Sequence, residues 1–240
     1  MSMTTTADKP VEIHRHHRDV TGGWLRPAVF GVMDGLVSNA ALIAGVVGGG
    51  APASATAVAG LAGLVAGACS MATGEYTSVA SQSELVHAEI AVERAELAKH
   101  PEDEQRELAL LFQTRGLDAE LAAEVAERLH RDPDVAWRVH VREELGVDPD
   151  DLPSPWVAAG SSFLAFALGA LIPLLPFLLG RASLGAALTL SVIALFVAGA
   201  AVARLTGRSV WFGGGRQLVL GAAAAVVTFG VGSVVGTGLG

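Results

Sequence analysis

Phe30-Gly31-Val32-Met33-Asp34-Gly35-Leu36-Val37-Ser38-Asn39 lies inside an apolar run covering residues 27–49. The run has the ~20 residues that a helix needs to cross ~30 Å of hydrocarbon. Yet it contains a carboxylate, Asp34. An acid at bilayer depth is costly unless it is paired, hydrated or ligated, which makes it a functional-site candidate by default. Four more apolar stretches follow, at 56–82, 155–180, 182–203 and 217–239, and among all five only Glu75 is a second acid. The expectation is an all-α integral membrane protein with five transmembrane helices and a small cytoplasmic helical domain between helices 2 and 3. Its divisions are an N-terminal segment 1–26, helices 1 and 2 within 27–82, the acidic helical domain 83–152, and helices 3 to 5 within 153–240.

Composition agrees. With 29 Gly, 51% hydrophobic and only 17% charged residues, the chain departs from an average soluble domain. The polar N-terminal residues have no apolar core of signal-peptide type, so the first span is expected to enter uncleaved. Basic residues set the orientation. Four precede span one, eight fall between spans two and three, and Arg204, Arg208 and Arg216 flank or separate spans four and five, leaving only Arg181 opposite. The positive-inside rule assigns the richer side to the cytoplasm, which puts the C-terminus outside. The Ala-, Gly- and Arg-rich style predicts a prokaryotic plasma membrane. Cys69 lies alone inside span two, so no disulfide forms within the chain.

Between spans two and three the character changes. Nineteen of the 24 Asp and Glu lie between Glu84 and Asp151 against eight Lys and Arg, a net charge of −11 in a chain whose total is −8. Such a segment disfavours nucleic acid and anionic lipid headgroups and favours cations. Span two continues without a breaker to Lys99. Helices are then predicted from Pro101 to Gly116, from near Asp118 to before Pro133, and from Asp132 to Gly146, on proline starts, acidic first turns and glycine stops. Leu108, Leu111 and Phe112, then Leu121, Val125 and Leu129, then Val135 and Val139, give each a narrow apolar stripe. Glu89, Glu93 and Glu96 share one face of the extended second helix, and Glu104 pairs with Glu107 beyond the Pro101 break. Like charges at these spacings destabilise a helix unless a cation bridges them, and carboxylate clusters suit Mg²⁺, Mn²⁺ and Fe²⁺. The alternative is a solvated acidic face with no ligand.

Asp34 and Glu75 are each predicted ~10 to 12 Å inside the membrane from the cytoplasmic side, at 1.5 Å per residue. Met71, four residues before Glu75, falls on the same helix face. Two carboxylates and a thioether make a mixed site for a transition metal, the sulfur disfavouring Mg²⁺ and Ca²⁺. Ser38, Asn39, Ser70 and Thr73 offer neutral oxygens. The alternative for Asp34 is a hydrogen-bonded structural acid in a gap left by Gly31 and Gly35, and a lone Met in an apolar span is ordinarily packing. Pairs such as Gly31 with Gly35, Gly45 with Gly49, and Gly232 with Gly236 allow close helix contact, within one chain or between two.

The stretch 30–39 and Ala66-Gly67-Ala68-Cys69-Ser70-Met71-Ala72-Thr73-Gly74-Glu75-Tyr76-Thr77-Ser78-Val79 resemble the signature stretches of the vacuolar iron transporter family. That family exports Fe²⁺ and often Mn²⁺ from the cytosol, generally in exchange for protons. The resemblance runs from about Trp24 to the end and includes the glutamate-rich middle segment. It implies that Asp34 and Met71 are transport-site residues at a homodimer interface formed by transmembrane helices 1 and 2. It also implies that Glu93, Glu96, Glu104, Glu107 and Glu144 gather the metal. Where plant members carry further acids this chain has Pro27 and Gly63, which puts the proton route in question and gives Glu75 a share of it. Where they carry a Met pair it has His140 and Val141, so either the imidazole replaces the thioethers or the metal is held more weakly. His14, His16 and His17 form a short His-rich stretch, either a collecting tail or incidental.

The leading expectation is therefore a homodimeric Fe²⁺/Mn²⁺ exporter, proton-coupled, that needs no cofactor beyond the transported ion and has membrane lipid and divalent cations as partners. A membrane-anchored metal-binding, buffering or sensing protein without transport is the alternative, since it requires the acidic helices but not Asp34. An enzyme is disfavoured, because the spans carry no Ser/His or His-rich metal constellation.

Overall fold

The computed structural model describes residues 23–239, so His14, His16 and His17 lie outside the described residues. The chain forms α1 (Leu25–Gly48), α2 (Ala53–Lys99), α3 (Pro101–Thr114), α4 (Ala119–His130), α5 (Pro133–His140), a π-helical turn (Val141–Leu145), α6 (Pro155–Leu178), α7 (Leu184–Leu205) and α8 (Val210–Leu239). Five of these helices, α1, α2, α6, α7 and α8, are long and apolar enough to cross a membrane.

The membrane half is built around α1, which packs most extensively on α6 and also contacts α8, α2 and α7. Glycine makes the closest of these approaches possible. A Cβ on Gly35 would overlap the Phe166 carbonyl oxygen of α6, and one on Gly169 would overlap the Val32 carbonyl oxygen of α1. Gly45 and Gly232 bring α1 against α8 in the same way. The small-residue pairs at Gly31 with Gly35 and at Gly45 with Gly49 therefore act within the chain. Ile43, Leu174, Phe177 and Ala187 close one core, and Ala68, Phe166 and Ala170 another.

The last span starts at Val210, seven residues earlier than the Gln217 expected, so Arg216 is helical. Gly213-Gly214-Gly215 reads as a loop by propensity. Tertiary contact overrides it, because Gly213 lies against the Gly199 backbone and Gly214 against the Phe196 ring of α7.

α2 is one uninterrupted helix of 47 residues, and only its first part is apolar. Tyr76 packs against Trp156 with ring centroids 4.7 Å apart and planes tilted by 58°, where α2 passes the start of α6. Amphipathic aromatics favour the membrane–water boundary. Beyond it, α3, α5 and the π turn fold against the polar end of α2, and α4 packs on α3 and α5. Asp118 and Asp132 cap α4 and α5 by accepting from the Leu121 and Asp134 backbone amides, satisfying otherwise orphaned donors. Ile90, Trp137 and Val141 dock α5 on α2, while Leu108, Ala109 and Ala126 join α3 to α4. Two of the expected stripe residues do not serve: Leu121 and Val135 are exposed. The contact faces are Ala122, Ala126 and Ala136 instead, small residues that let short helices approach closely.

Candidate metal centre

Four side chains from four elements converge beside the polar end of α2. Glu93 comes from α2, Glu104 from α3, His140 from the end of α5 and Glu144 from the π turn, with one ligand atom of each within 4.8 Å of all the others. The local sequence explains the meeting. Pro101 breaks the long helix and folds α3 back beside it, and the π turn, a form often found at functional sites, immediately follows His140 and carries Glu144. Gly146, with φ +67°, then reverses the chain.

His140 is completely buried, and its Nδ1 lies 2.7 Å from Glu144 Oε1, 3.1 Å from Glu93 Oε1 and 3.7 Å from Glu104 Oε2. One nitrogen carries at most one proton, so it cannot donate to three carboxylates. Glu93 Oε1 is accordingly buried without a hydrogen bond. An unpaired buried carboxylate oxygen is costly, and a cation is the partner that all three acids would share. Three hard oxygens and one imidazole nitrogen fit a borderline divalent ion such as Fe²⁺ or Mn²⁺.

The electrostatics agree with this geometry. Burial, followed by the charge of Glu144, pushes the Glu93 carboxyl up to about 7, with His140 acting in the opposite direction. Burial also raises Glu104, again opposed by His140 and assisted by Glu107 and Glu144. Without a cation, Glu93 is therefore the carboxyl of this site that takes up a proton as pH falls through about 7.

Two of the expected ligands stand beside the cluster. Glu96 is half-exposed, 3.9 Å from Lys99 Nζ and 4.0 Å from His100 Nε2, and Glu107 lines a shallow surface cavity with Asp103 and Arg106. Both remain close enough to raise Glu104 by repulsion. His130 was missed. Its Nε2 lies 3.3 Å from His140 Nε2, a contact that ten residues of separation across the Pro133 break does not announce in sequence.

In the membrane half, Asp34 and Met71 line one cavity of about 210 Å³ with Ser38, Asn39, Gly63, Gly67, Ser70 and Phe166. Ser38 Oγ donates to Asp34 Oδ1 at 2.8 Å. Asn39 is buried, donates Nδ2 to the Ala170 carbonyl oxygen at 2.6 Å, and leaves Oδ1 without a hydrogen bond. Gly63 leaves room for that oxygen, which a Cβ would meet at 3.0 Å. The cavity thus gathers a carboxylate, a thioether and neutral oxygens. Glu75 is not among them. It lines a separate cavity of about 600 Å³ with Arg26, Phe30, Met33 and Gln217. Although Glu75 is one helical turn from Met71, the cavity beside Asp34 is bounded by α6 through Phe166 and does not include it.

Residues 25–233 match the VIT family. The chain is 39% identical to "Vacuolar iron transporter" of Acanthamoeba castellanii, over 88% of this chain and 78% of the relative. It is 30% identical to "Vacuolar iron transporter 1" of Oryza sativa subsp. japonica, over 93% and 91%. It is 37% identical to "Vacuolar iron transporter homolog 1" of the same plant, over 87% and 72%. With five membrane-length apolar helices and a match along nearly its whole described length, the chain is an integral membrane protein that belongs to the VIT family.

Proposed function

We propose that the protein transports Fe²⁺ or Mn²⁺ out of the cytosol in exchange for protons, with the Glu93, Glu104, His140 and Glu144 cluster collecting metal for a path through Asp34 and Met71. The observation that carries this reading is the convergence of Asp34 and Met71, from two neighbouring helices, on one cavity inside the apolar half. Names of the relatives support iron as cargo. The excess of Lys and Arg beside the charged segment supports a cytosolic location for it. Two copies paired through α1 and α2 would set each path beside the contact. Glu96 and Glu107 add attraction around the collecting site, and Glu75, on a separate cavity, is assigned a share of the proton route. Plasma-membrane residence rests on composition, whereas the relatives are named for the vacuole; in either membrane the metal leaves the cytosol.

Vesicles test direction. Inverted vesicles containing the protein are expected to accumulate labelled Fe²⁺ or Mn²⁺ when their interior is acidic, and a protonophore should stop it. Accumulation that ignores the proton gradient would rule out antiport.

The second reading, a metal-binding or buffering membrane protein, is favoured by one fact: the four-residue cluster lies wholly outside the apolar spans. It predicts binding without flux.

Both readings share a pH signature. A ligand carboxyl must lose its proton to bind metal, and Glu93 titrates at about 7. Affinity should therefore be full above neutrality and lost as pH falls. Release of one proton predicts about tenfold weaker binding at pH ~6 than at pH ~8. The sign for the metal-free fold is opposite. The raised carboxyl destabilises it progressively as pH rises from 4.5 towards about 7, and added metal should restore protection of α3 to α5 in hydrogen exchange. Binding isotherms that are flat in pH would contradict the assignment of Glu93.

A further inference from the structure

The side of His140 that faces away from the carboxylates is occupied by His130, and the two imidazoles stand edge to face, with centroids 5.2 Å apart and planes at 86°. The Ala126 end sets the hydrogen-bond directions along this pair. His130 Nδ1 lies 2.9 Å from the Ala126 carbonyl oxygen, which only accepts, so this nitrogen carries a proton. A neutral His130 then has its lone pair on Nε2. That atom faces His140 Nε2 at 3.3 Å, and the proton between them must belong to His140. The reverse direction would require a second proton on His130 and leave a half-buried imidazolium with no carboxylate among these contacts. With Nε2 of His140 committed as a donor, a neutral His140 has its lone pair on Nδ1, the atom that faces Glu93, Glu104 and Glu144.

We propose that His130 is a positioning residue: the chain from the Ala126 carbonyl through His130 holds His140 in its Nε2–H tautomer and aims the Nδ1 lone pair at a divalent cation bound by Glu93, Glu104 and Glu144. Ligating imidazoles generally have their other nitrogen fixed by a carboxylate, a carbonyl or water, and loss of that outer partner typically costs 10- to 100-fold in metal affinity. Here a second imidazole, itself anchored to a backbone carbonyl, takes that part. It also shapes selectivity. Nitrogen ligation favours Co²⁺ and other later transition ions, while Mg²⁺ depends on the oxygens. This inference rests on cation binding at the cluster and is independent of transport.

The test uses the full chain in detergent micelles, with Co²⁺ and Mg²⁺ as probes. Binding is followed by equilibrium titration, by the visible absorption of Co²⁺, and by the paramagnetically shifted N–H proton of the ligated imidazole. His130→Ala is expected to weaken Co²⁺ by about tenfold or more, to change Mg²⁺ less than about twofold, and to let the shifted N–H proton exchange with solvent. His130→Gln, whose amide oxygen can accept from His140 Nε2–H, is expected to recover most of the Co²⁺ affinity. Equal losses for both ions in His130→Ala would show a merely structural role and overturn the proposal. So would unchanged Co²⁺ binding, or a Gln variant that behaves like the Ala variant. Glu93→Gln combined with Glu104→Gln separates the underlying assumption. If that variant binds Co²⁺ like the wild type, the cation is not at this cluster, and the collecting-site reading fails with it.

Discussion

Asp34→Ala is expected to abolish Fe²⁺ and Mn²⁺ flux, by about 100-fold or more, equivalent to ~2.7 kcal/mol, while the helices stay packed. Among the described residues, its carboxylate is the only charged side chain on a cavity otherwise lined by Met71, hydroxyls, an amide and apolar groups. A divalent ion stripped of water at this depth needs compensating charge. A thioether and neutral oxygens cannot supply it. Asp34 accepts from Ser38 Oγ within its own helix, so among the described residues truncation breaks no side-chain hydrogen bond between helices, and the α1 contact with α6 runs through glycine backbone instead. Asp34→Asn keeps the shape and removes the charge, and should be equally inactive. Radiolabelled uptake into proteoliposomes, beside gel filtration of the same samples, separates lost transport from lost fold. An Asn variant that retained most of its flux would assign Asp34 a structural role.

Gly35→Val is expected to fail as a folded protein. The new Cβ would overlap the Phe166 carbonyl oxygen and lie 2.9 Å from the Ala170 amide nitrogen, both backbone atoms of α6. Overpacking a core ordinarily costs ~1 to 3 kcal/mol. Here no side chain can rotate aside, so α1 and α6 must separate along the seam that organises the membrane half. Gly74→Ala is the control, because nothing stands within 4 Å of its added carbon and replacing a helical glycine by alanine gains up to ~1 kcal/mol. Thermal unfolding in detergent should show the Val variant aggregated or strongly destabilised and the Ala variant at or above the wild type.

These contrasts show what the sequence discloses and where it stops. The spans were legible because five apolar runs are interrupted by only two acids, and Asp34 stood out through its cost. The converging of Glu93, Glu104 and Glu144 was half-legible. Helical spacing places Glu93 and Glu96 on a similar face, yet only Glu93 turns into the cluster, because the fold-back at Pro101 and the π turn after His140 decide which carboxylates meet. Glu75 shares a face with Met71 by periodicity but lines another cavity, since the walls come from α6 and α8, distant in sequence. Glycines misled in one place and informed in another. Gly213 and Gly214 look like a loop and serve a helix contact, whereas Gly31 and Gly35 signalled close packing whose partner, α6, no local pattern names.

The proposed transport rests on passage of metal past Asp34 and Met71. It is tested most directly in proteoliposomes that report internal metal and internal pH together, with wild type and Asp34→Ala compared at equal incorporation. The expected result is Fe²⁺ and Mn²⁺ entering as protons leave, with both signals absent in Asp34→Ala although that variant still binds metal at the Glu93 cluster. Metal bound by both proteins with no flux in either would contradict it and leave a membrane-anchored metal-binding protein.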